Sequence, residues 1–351
     1  MVATFTQRLR LRVLSLSLLV ICVAGLTQAQ AEGAWRRQPS GTLAWLHAIF
    51  FLDEKRGWAV GGHGVFLTTI DGGASWRAVA QSPAPDSLRD IYFVDEKTGW
   101  LLCERSIYEL KTNDEPRTYL MRTTDGGATW TRVNVIGADV DVRLVGTIFI
   151  NRGQKAWAFG EAGALYFTQD GGANWERQRL PTRKLLLGGQ FIDATRGWLV
   201  GAGATILQTL DGGTTWRTGD VLFEQTDVRL TAVSFPDAHH GWAVGTEGHV
   251  LATNDGGHIW RAQNSNVVVD LSDVKFLNAR EGWAVGAEGT IIHTTDGGVT
   301  WMREASDTDR PLERLYFINR EHGWAVGYGG AIVNYTSRPA SPPKLKTDTM
   351  R

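Results

Sequence analysis

Cysteine is almost absent from this sequence, with two residues in 351, and neither a helical heptad pattern nor a block of like charge occurs in it. Without heptads, a coiled coil or a long helical bundle is excluded. Glycine and tryptophan are plentiful instead, with 41 and 15 residues. This composition predicts many short strands joined by tight turns, although the length alone fits either one large domain or two ordinary ones.

The N-terminus follows the order of a secretory signal peptide. Three arginines precede an apolar run over residues 13–24, and Ala29 and Ala31 then offer small side chains at the spacing that a signal peptidase accepts. The apolar run is shorter than the roughly 20 residues that span a bilayer. We therefore expect residues 1–31 to be cleaved and the rest to be exported to a periplasm, or to a thylakoid lumen if the host is photosynthetic.

Two alternatives to cleavage stay open. One is an uncleaved membrane anchor, which the short apolar run disfavours. The other is a lipoprotein modified at Cys22, which Ile21 disfavours because a small residue is expected before a lipidated cysteine.

Loss of the signal peptide would leave Cys103 as the only cysteine, so no intramolecular disulfide can form and the core alone must stabilise the fold. We expect Cys103 to be a buried, small residue, because no activating base is evident beside it. The loss would also leave 33 basic and 37 acidic residues, a formal charge of about −4. Bulk charge therefore argues against a nucleic-acid partner.

Two series of tryptophans mark a repeat of about 41 residues. The first series follows glycine or alanine and comprises Trp58, Trp100, Trp157, Trp198, Trp242, Trp283 and Trp324. The second series ends the motif Thr-x-Asp-Gly-Gly-x-x-Trp and its variants, and comprises Trp76, Trp130, Trp175, Trp216, Trp260 and Trp301. The two tryptophans of a complete unit lie 18 residues apart, except in the second unit, where a 12-residue insertion separates them by 30.

A third signature precedes each first-series tryptophan: a leucine five residues before a phenylalanine, with Asp or Asn two residues later. The leucine and phenylalanine pairs are Leu46/Phe51, Leu88/Phe93, Leu144/Phe149, Leu186/Phe191, Leu230/Phe235, Leu271/Phe276 and Leu312/Phe317. The Asp or Asn suits a tight turn, because its side chain bonds the backbone two residues on. Each unit thus predicts four short strands, and seven such units predict a seven-bladed β-propeller over residues 32–337. A β-solenoid is the alternative, but its repeats are usually shorter.

The last unit lacks a second tryptophan and therefore its outermost strand. Trp35 lies 23 residues before Trp58, the interval that separates Trp175 from Trp198. We therefore expect the segment around Trp35 to pair into the last blade and close the ring. Trp45 is then the only tryptophan without a repeat position. The proline- and lysine-rich tail, residues 338–351, is expected to be disordered.

The aspartate of the glycine-rich motif is predicted to be structural, accepting amide hydrogens of a hairpin turn whose glycines have positive φ. Calcium is the alternative, but each loop offers one carboxylate where a calcium loop offers several oxygens. No metal or cofactor is expected. The six residues are Asp71, Asp125, Asp170, Asp211, Asp255 and Asp296.

This motif is the Asp-box found in bacterial sialidases and other propellers. The whole unit, with its Phe-x-Asp turn and its Gly-Trp-Ala-Val-Gly strand, more closely resembles the photosystem II stability and assembly factor family, from Trp35 to about Tyr335. The resemblance implies a non-enzymatic, lumen-facing chaperone. It also implies a protein partner, a newly made subunit of a membrane complex, bound through a basic patch. We expect the protein to be a monomer.

The longest cationic stretch follows Trp175, where one blade connects to the next. Loops at such connections usually carry a propeller's binding residues. Two further arginines share one repeat position, six residues before the phenylalanine, in blades three and five. The predicted protein-binding patch consists of Arg143, Arg177, Arg179, Arg183, Lys184 and Arg229. The alternative is a set of solvated arginines on outer strands.

A glycan-binding or glycan-cleaving propeller is the alternative function. A glycosidase needs two carboxylates across a cleft, and Glu247 and Glu288 occupy equivalent loop positions in adjacent blades. His63 holds the same position in blade one but has no partner at metal-binding spacing. No catalytic residue is therefore predicted. The blade-two insertion, residues 103–119, is either a partner-contacting hairpin or a surface elaboration.

Overall fold

Strands and short 3₁₀ turns make up the regular structure of the computed structural model, which describes residues 33–108, 110, 115–133, 135, 142–222 and 227–337. Residues Ala34–Thr336 form one unit. The predicted signal peptide and the predicted disordered tail lie outside the described residues. Within them, no helix is long and apolar enough to cross a membrane.

The strands form seven sheets, which are the blades of the predicted propeller. In chain order, the first strand is β1 (Ala34–Arg37). Blade one contains β2 (Leu46–Phe51), β3 (Gly57–Gly61), β4 (Phe66–Thr69) and β5 (Arg77–Ala78). Blade two contains β6 (Ser87–Phe93), β7 (Gly99–Glu104), β8 (Thr118–Thr123) and β9 (Thr131–Val133). Blade three contains β10 (Leu144–Ile150), β11 (Lys155–Gly160), β12 (Leu165–Thr168) and β13 (Glu176–Arg177).

Blade four contains β14 (Leu186–Phe191), β15 (Gly197–Gly201), β16 (Thr205–Thr209) and β17 (Arg217–Thr218). The strand β18 (Asp220–Leu222) comes next, and blade five continues with β19 (Leu230–Ser234), β20 (Gly241–Gly245), β21 (Val250–Thr253) and β22 (Ile259–Gln263). Blade six contains β23 (Leu271–Phe276), β24 (Gly282–Gly286), β25 (Ile291–Thr294) and β26 (Met302–Glu304). Blade seven contains β27 (Leu312–Phe317), β28 (His322–Gly327) and β29 (Ala331–Thr336).

The ring closes as predicted. The strand β1 pairs antiparallel with β29, with Trp35 opposite Tyr335, and so supplies the outermost strand of blade seven. The innermost strand of each blade lies beside that of the next blade, and β27 of blade seven lies beside β2 of blade one. The seven-bladed architecture is therefore confirmed, and the two ends of the described chain are held in one sheet.

Blade five departs from the predicted four strands. The strand β18 lies parallel to β22 on the outer edge of this blade, with Val221 opposite Trp260. The chain leaving blade four thus adds a fifth strand before it enters blade five. The connection is long enough to do so, because residues 219–229 separate the outer strand of blade four from the inner strand of blade five.

The two aromatic signatures meet between blades. Each first-series tryptophan packs against the signature phenylalanine of the following blade, with ring centroids 3.5–4.9 Å apart. Such aromatic contacts contribute about 0.5–1.5 kcal/mol beyond the burial of their area. The seven pairs are Trp58–Phe93, Trp100–Phe149, Trp157–Phe191, Trp198–Phe235, Trp242–Phe276, Trp283–Phe317 and Trp324–Phe51.

In six blades, a glycine before the first-series tryptophan leaves room for the ring of the signature phenylalanine in the same blade. A Cβ at Gly57 would lie 2.6 Å from the ring of Phe51, and one at Gly282 would lie 2.5 Å from Phe276. Blade three has Ala156 at this place. In the six other blades, the glycine of the Gly-Trp pair is therefore required by the packing of the phenylalanine in the same blade.

Polar side chains satisfy part of the exposed inner edge of the blades. Each of these side chains accepts a hydrogen bond from a backbone N–H on the innermost strand of the next blade. Within the described chain, no further strand lies inside the ring to pair with that N–H group. The pairs are Thr147 N to Asp90 Oδ2 (3.2 Å), Phe235 N to Gln190 Oε1 (2.7 Å), Phe276 N to Ser234 Oγ (2.9 Å) and Leu315 N to Asp273 Oδ2 (2.9 Å).

Candidate functional site

One face of the ring is built by the segments that connect blades and by the turns between second and third strands. We call it the connection face. Five of these turns are 3₁₀ turns: Gly62–Gly64, Glu161–Gly163, Thr246–Gly248, Ala287–Gly289 and Tyr328–Gly330. In six blades the backbone N–H that follows the second strand donates to the carbonyl of the residue just before the signature leucine. We call the position of this acceptor residue in each blade the ring position. It is occupied by Trp45, Arg143, Leu185, Arg229, Asp270 and Pro311.

Three of the predicted cations line one depression on this face, the cationic groove. Arg177, Arg179 and Arg183 lie around it, and its volume is about 630 Å³. All three side chains are exposed. The turn of blade three forms the other wall, where Gly163 lies so close that a Cβ there would be 2.4 Å from the carbonyl oxygen of Thr182. The sequence stretch after Trp175 therefore folds into a concave, arginine-lined surface.

Lys184 and Arg229 continue the same sector of the face. Lys184 Nζ donates to the carbonyl of Gly203 (3.1 Å), in the turn of blade four. The neighbouring Ala202 forms an isolated bridge with Arg229 at the entrance to blade five. Both cationic side chains are exposed. Five of the six predicted cations thus lie on the outer strand of blade three and on the connections that lead into blades four and five.

Arg143 is different, because carboxylates from blade two and blade three hold it. Its Nε lies 2.6 Å from Glu104 Oε1, and its Nη1 lies 3.5 Å from Glu161 Oε1. Arg179 and Arg183 form no ion pair with another residue in the described ranges. The binding role of the six cations stays a prediction, and Arg143 is ion-paired rather than free.

Arg143 belongs to an ion-paired cluster on the inner side of the face. Glu104 also lies 3.3 Å from Arg89 Nε, and Arg89 continues to Glu313 (3.8 Å), whose carboxylate contacts His47 Nδ1 (3.0 Å). Arg117 completes the cluster through Glu104 and Glu161. Three arginines meet three glutamates in this cluster, so the charges of the arginines and glutamates balance. The one sequence signal for this cluster is that Glu104 and Glu161 share a repeat position, four residues after the first-series tryptophan.

Arg314 lies on the innermost strand of blade seven rather than on the face. Burial opposes its charge, but the carboxylates of Asp273 and Asp90 outweigh this effect and raise its pKa. Arg89 and Arg314 lie one and two residues after their signature leucines, and both interact with carboxylates inside the folded ring.

The six motif aspartates all organise their own turns. In blade one, Asp71 Oδ1 accepts hydrogen bonds from Thr69 Oγ1 (2.7 Å) and Ser75 N (2.9 Å), and Gly73 N donates to Thr69 Oγ1 (2.8 Å). Hydrogen bonds from Ser75 are the largest cause that lowers the pKa of Asp71, to about 2. The same contacts recur at Asp125, Asp170, Asp211, Asp255 and Asp296. The carboxylates are thus occupied within the turn.

Glu247, Glu288 and His63, the residues considered for glycan or metal chemistry, lie in turns of the connection face. The described ranges contain no group of three or more His, Cys, Asp or Glu that could hold a metal ion. Glu247 and Glu288 are exposed at the middle of separate 3₁₀ turns, with φ of 56° and 55°, and His63 has the same place in blade one. What Glu247, Glu288 and His63 share is a left-handed backbone conformation at the middle of the turn.

The blade-two insertion begins as an extension of two strands. Cys103 pairs with Tyr119 and Glu104 with Thr118 across β7 and β8, and Arg105 N donates to the carbonyl of Arg117 (2.8 Å). Cys103 is fully buried, as predicted, and burial raises its pKa to about 12. Residues 109 and 111–114 lie outside the described residues. The base of the insertion is therefore a hairpin, with Tyr108 exposed beyond it.

Comparison with known families places most of the chain in one group. A family model described as photosynthesis system II assembly factor YCF48 matches residues 79–187, 174–264, 224–303 and 261–336, which together run through more than half of the chain. A curated relative, photosystem II assembly protein Ycf48 from Thermosynechococcus vestitus, is 44% identical over 61 residues. That alignment spans 17% of this chain and 18% of the relative.

Two solved structures share the fold. YCF48 from Cyanidioschyzon merolae has a TM-score of 0.69 at 20% identity, covering 86% of this chain and 99% of that one. A structure described as YCF48 bound to D1 peptide has a TM-score of 0.69 at 19% identity, covering 87% of this chain and 95% of that one. At 19–20% identity, the structural similarity shows that this chain shares the propeller fold.

Proposed function

This chain belongs to the photosynthesis system II assembly factor YCF48 family, and we propose that it is a non-enzymatic propeller that binds a subunit of a membrane protein complex during assembly. The partner would be a photosystem II subunit or its counterpart. The solved relative bound to a D1 peptide supports this choice, since that propeller holds a segment of a membrane protein.

The cationic groove is the observation that carries the proposal. Arg179 and Arg183 are exposed around a concave surface on a protein whose bulk charge is slightly negative. Guanidinium groups bind carboxylates through two parallel hydrogen bonds, so a row of them selects an acidic segment. A groove between a blade connection and a neighbouring turn suits an extended chain. The bound element is therefore an extended, acidic segment of the partner.

A role without catalysis is supported by the state of the carboxylates. The motif aspartates bond within their turns, and Glu104 and Glu161 pair with arginines. Glu247 and Glu288, the residues of the glycosidase alternative, protrude from separate turns. A screen with sialyl and other glycosides should show neither hydrolysis nor a sugar-dependent thermal shift. Either signal would favour the alternative.

Export is part of the proposal. The signal-like order of residues 1–31 supports delivery to a periplasm or thylakoid lumen, where a binding propeller would meet the exposed segments of membrane subunits. N-terminal sequencing of the protein from its native host should begin at Glu32. A start at residue 1 or 2 would contradict export by cleavage.

Charge reversal in the groove tests the binding role. We expect the triple variant Arg179→Glu, Arg183→Glu, Lys184→Glu to lose capture of the partner from detergent-solubilised membranes, because like charges would now face its acidic segment. The matched control reverses three exposed arginines on outer strands, Arg77, Arg217 and Arg261. It should capture the partner as the wild type does. Equal capture by the groove variant would contradict the proposal.

A further inference from the structure

Trp45, the tryptophan outside the repeat, lies on the connection face with much of its ring in solvent. Its side chain is 46% exposed, whereas the tryptophans buried in the core are at most 9% exposed. The edge of Tyr328 meets it with ring centroids 5.6 Å apart, and Tyr328 is itself 54% exposed. Leu43, two residues before Trp45, is also exposed. These three residues form an apolar spot, the aromatic platform.

Backbone contacts hold the platform in place. Gly330 N donates to the carbonyl of Ala44 (2.7 Å), and Gly62 N donates to the carbonyl of Trp45 (2.8 Å), so the connection is fixed between the turns of blades seven and one. His47 is buried beside the indole at 5.4 Å between centroids. An exposed aromatic pair on a fixed backbone binds an apolar group at little cost in conformational entropy.

The repeat places the platform on the same face as the cations. Trp45 occupies the ring position that Arg143 and Arg229 occupy in blades three and five. The ion-paired cluster, whose three arginines balance its three glutamates, lies in between, from Glu313 and His47 to Arg143. A segment that crosses this face from the groove would thus pass a neutral stretch and reach the aromatic rings.

We propose that the aromatic platform is a second subsite for the segment bound in the cationic groove, and that it takes an aromatic or large aliphatic side chain of that segment. This inference rests on the proposed function. The occupant is an acidic, extended segment of a partner rather than a second copy of this chain, since two copies would bring together molecules of the same slightly negative charge. Trp45 and Tyr328 would then determine which acidic segments are bound.

Paired peptides test the subsite directly. The probes are short, fluorescein-labelled peptides with a glutamate cluster and a single Phe at successive distances from it, each with a twin that carries Ala. Fluorescence anisotropy should show that the wild type prefers the Phe peptide at one spacing by about threefold to tenfold, the range of an aromatic contact. Trp45→Ala and Tyr328→Ala should each abolish this preference and leave the affinity for the Ala twin unchanged.

The controls separate this inference from the proposed function. Trp45→Phe should restore most of the preference, and Val268→Ala, at an exposed apolar residue on another connection, should leave it intact. The groove variant should bind neither peptide of each pair. If it loses both peptides while Trp45→Ala has no effect, the platform proposal is wrong and the proposed binding role of the groove is supported. A change in the sedimentation coefficient on Trp45→Ala would instead show an interface between copies, and would overturn the proposal.

Discussion

The blade interfaces and the connection face follow the same repeat but use it in opposite ways. At the interfaces, the repeated residues make the same contact seven times, as Trp198 and Phe235 do with centroids 3.5 Å apart. On the connection face, the backbone geometry repeats, while the ring position changes from Trp45 to Arg143 to Asp270. The comparison indicates that repeated side chains stabilise the ring, and we propose that partner binding depends on side chains that do not repeat.

Removal of one interblade contact should have the largest effect on stability. Trp198 is fully buried, stacks on Phe235 and donates its Nε1 hydrogen to the carbonyl of Gly256 (2.9 Å). We expect Trp198→Ala to lower the free energy of unfolding by about 3–5 kcal/mol, measured by urea denaturation. Trp45→Ala is the matched control and should change it by about 0.5 kcal/mol or less. Equal losses would remove the distinction between the two regions.

A substitution beside the closing strand β1 should have an intermediate effect on stability, and this effect should depend on pH. His293 is largely buried, with Nδ1 3.0 Å from Glu304 and Nε2 3.7 Å from Glu281. The Glu304 carboxylate also accepts a hydrogen bond from Trp35 Nε1 (2.8 Å), so this cluster ties blade six to β1. Burial disfavours the protonated imidazole, but contacts with Glu281 and Glu304 outweigh burial and raise the pKa of His293.

Because the folded-state pKa is raised, protonated His293 stabilises the fold most below about pH 6.5, where the unfolded histidine is also protonated. This stabilisation is lost as pH rises through the folded-state pKa. His293→Gln should therefore cost about 1–3 kcal/mol near pH 6, and the difference from the wild type should shrink as pH rises. Urea denaturation at several pH values measures it. A difference that does not vary with pH would show that the residue acts by packing alone.

A smaller effect on stability is expected in the cationic groove. Arg179, Arg183 and Lys184 are exposed, and surface substitutions usually change stability by about 0.5 kcal/mol or less each. The triple glutamate variant should thus unfold within about 1.5 kcal/mol of the wild type while losing its partner. A large loss of stability would mean that the groove belongs to the scaffold, and that failed capture reports unfolding.

Sequence periodicity was sufficient to predict the fold, because every blade repeats its turn and packing residues. The interval before Trp58 located the closing strand at Trp35, and the pairing with Tyr335 confirms it. Periodicity did not show that each first-series tryptophan packs on the next blade, because residue spacing within one unit contains no information about contacts between units. It also missed β18, whose residues Asp220–Leu222 belong to a connection outside the repeat.

The candidate site was harder to predict, because charge on a surface depends on partners from other blades. Arg143 and Arg229 share one repeat position, yet Glu104 and Glu161 hold the former, and the latter is exposed. Trp45 was conspicuous only as the tryptophan left over from the repeat. The groove itself was predictable as a cationic stretch, because its arginines lie close together in sequence.

Arginine footprinting tests most directly the central claim, that the partner binds in the cationic groove. The protein would be modified with a dicarbonyl reagent, free and in complex with the solubilised partner, and the modified arginines would be quantified by mass spectrometry. We predict strong protection of Arg179 and Arg183 in the complex and equal modification of Arg77 and Arg261. Equal modification of Arg179 and Arg183 with and without the partner would contradict the account.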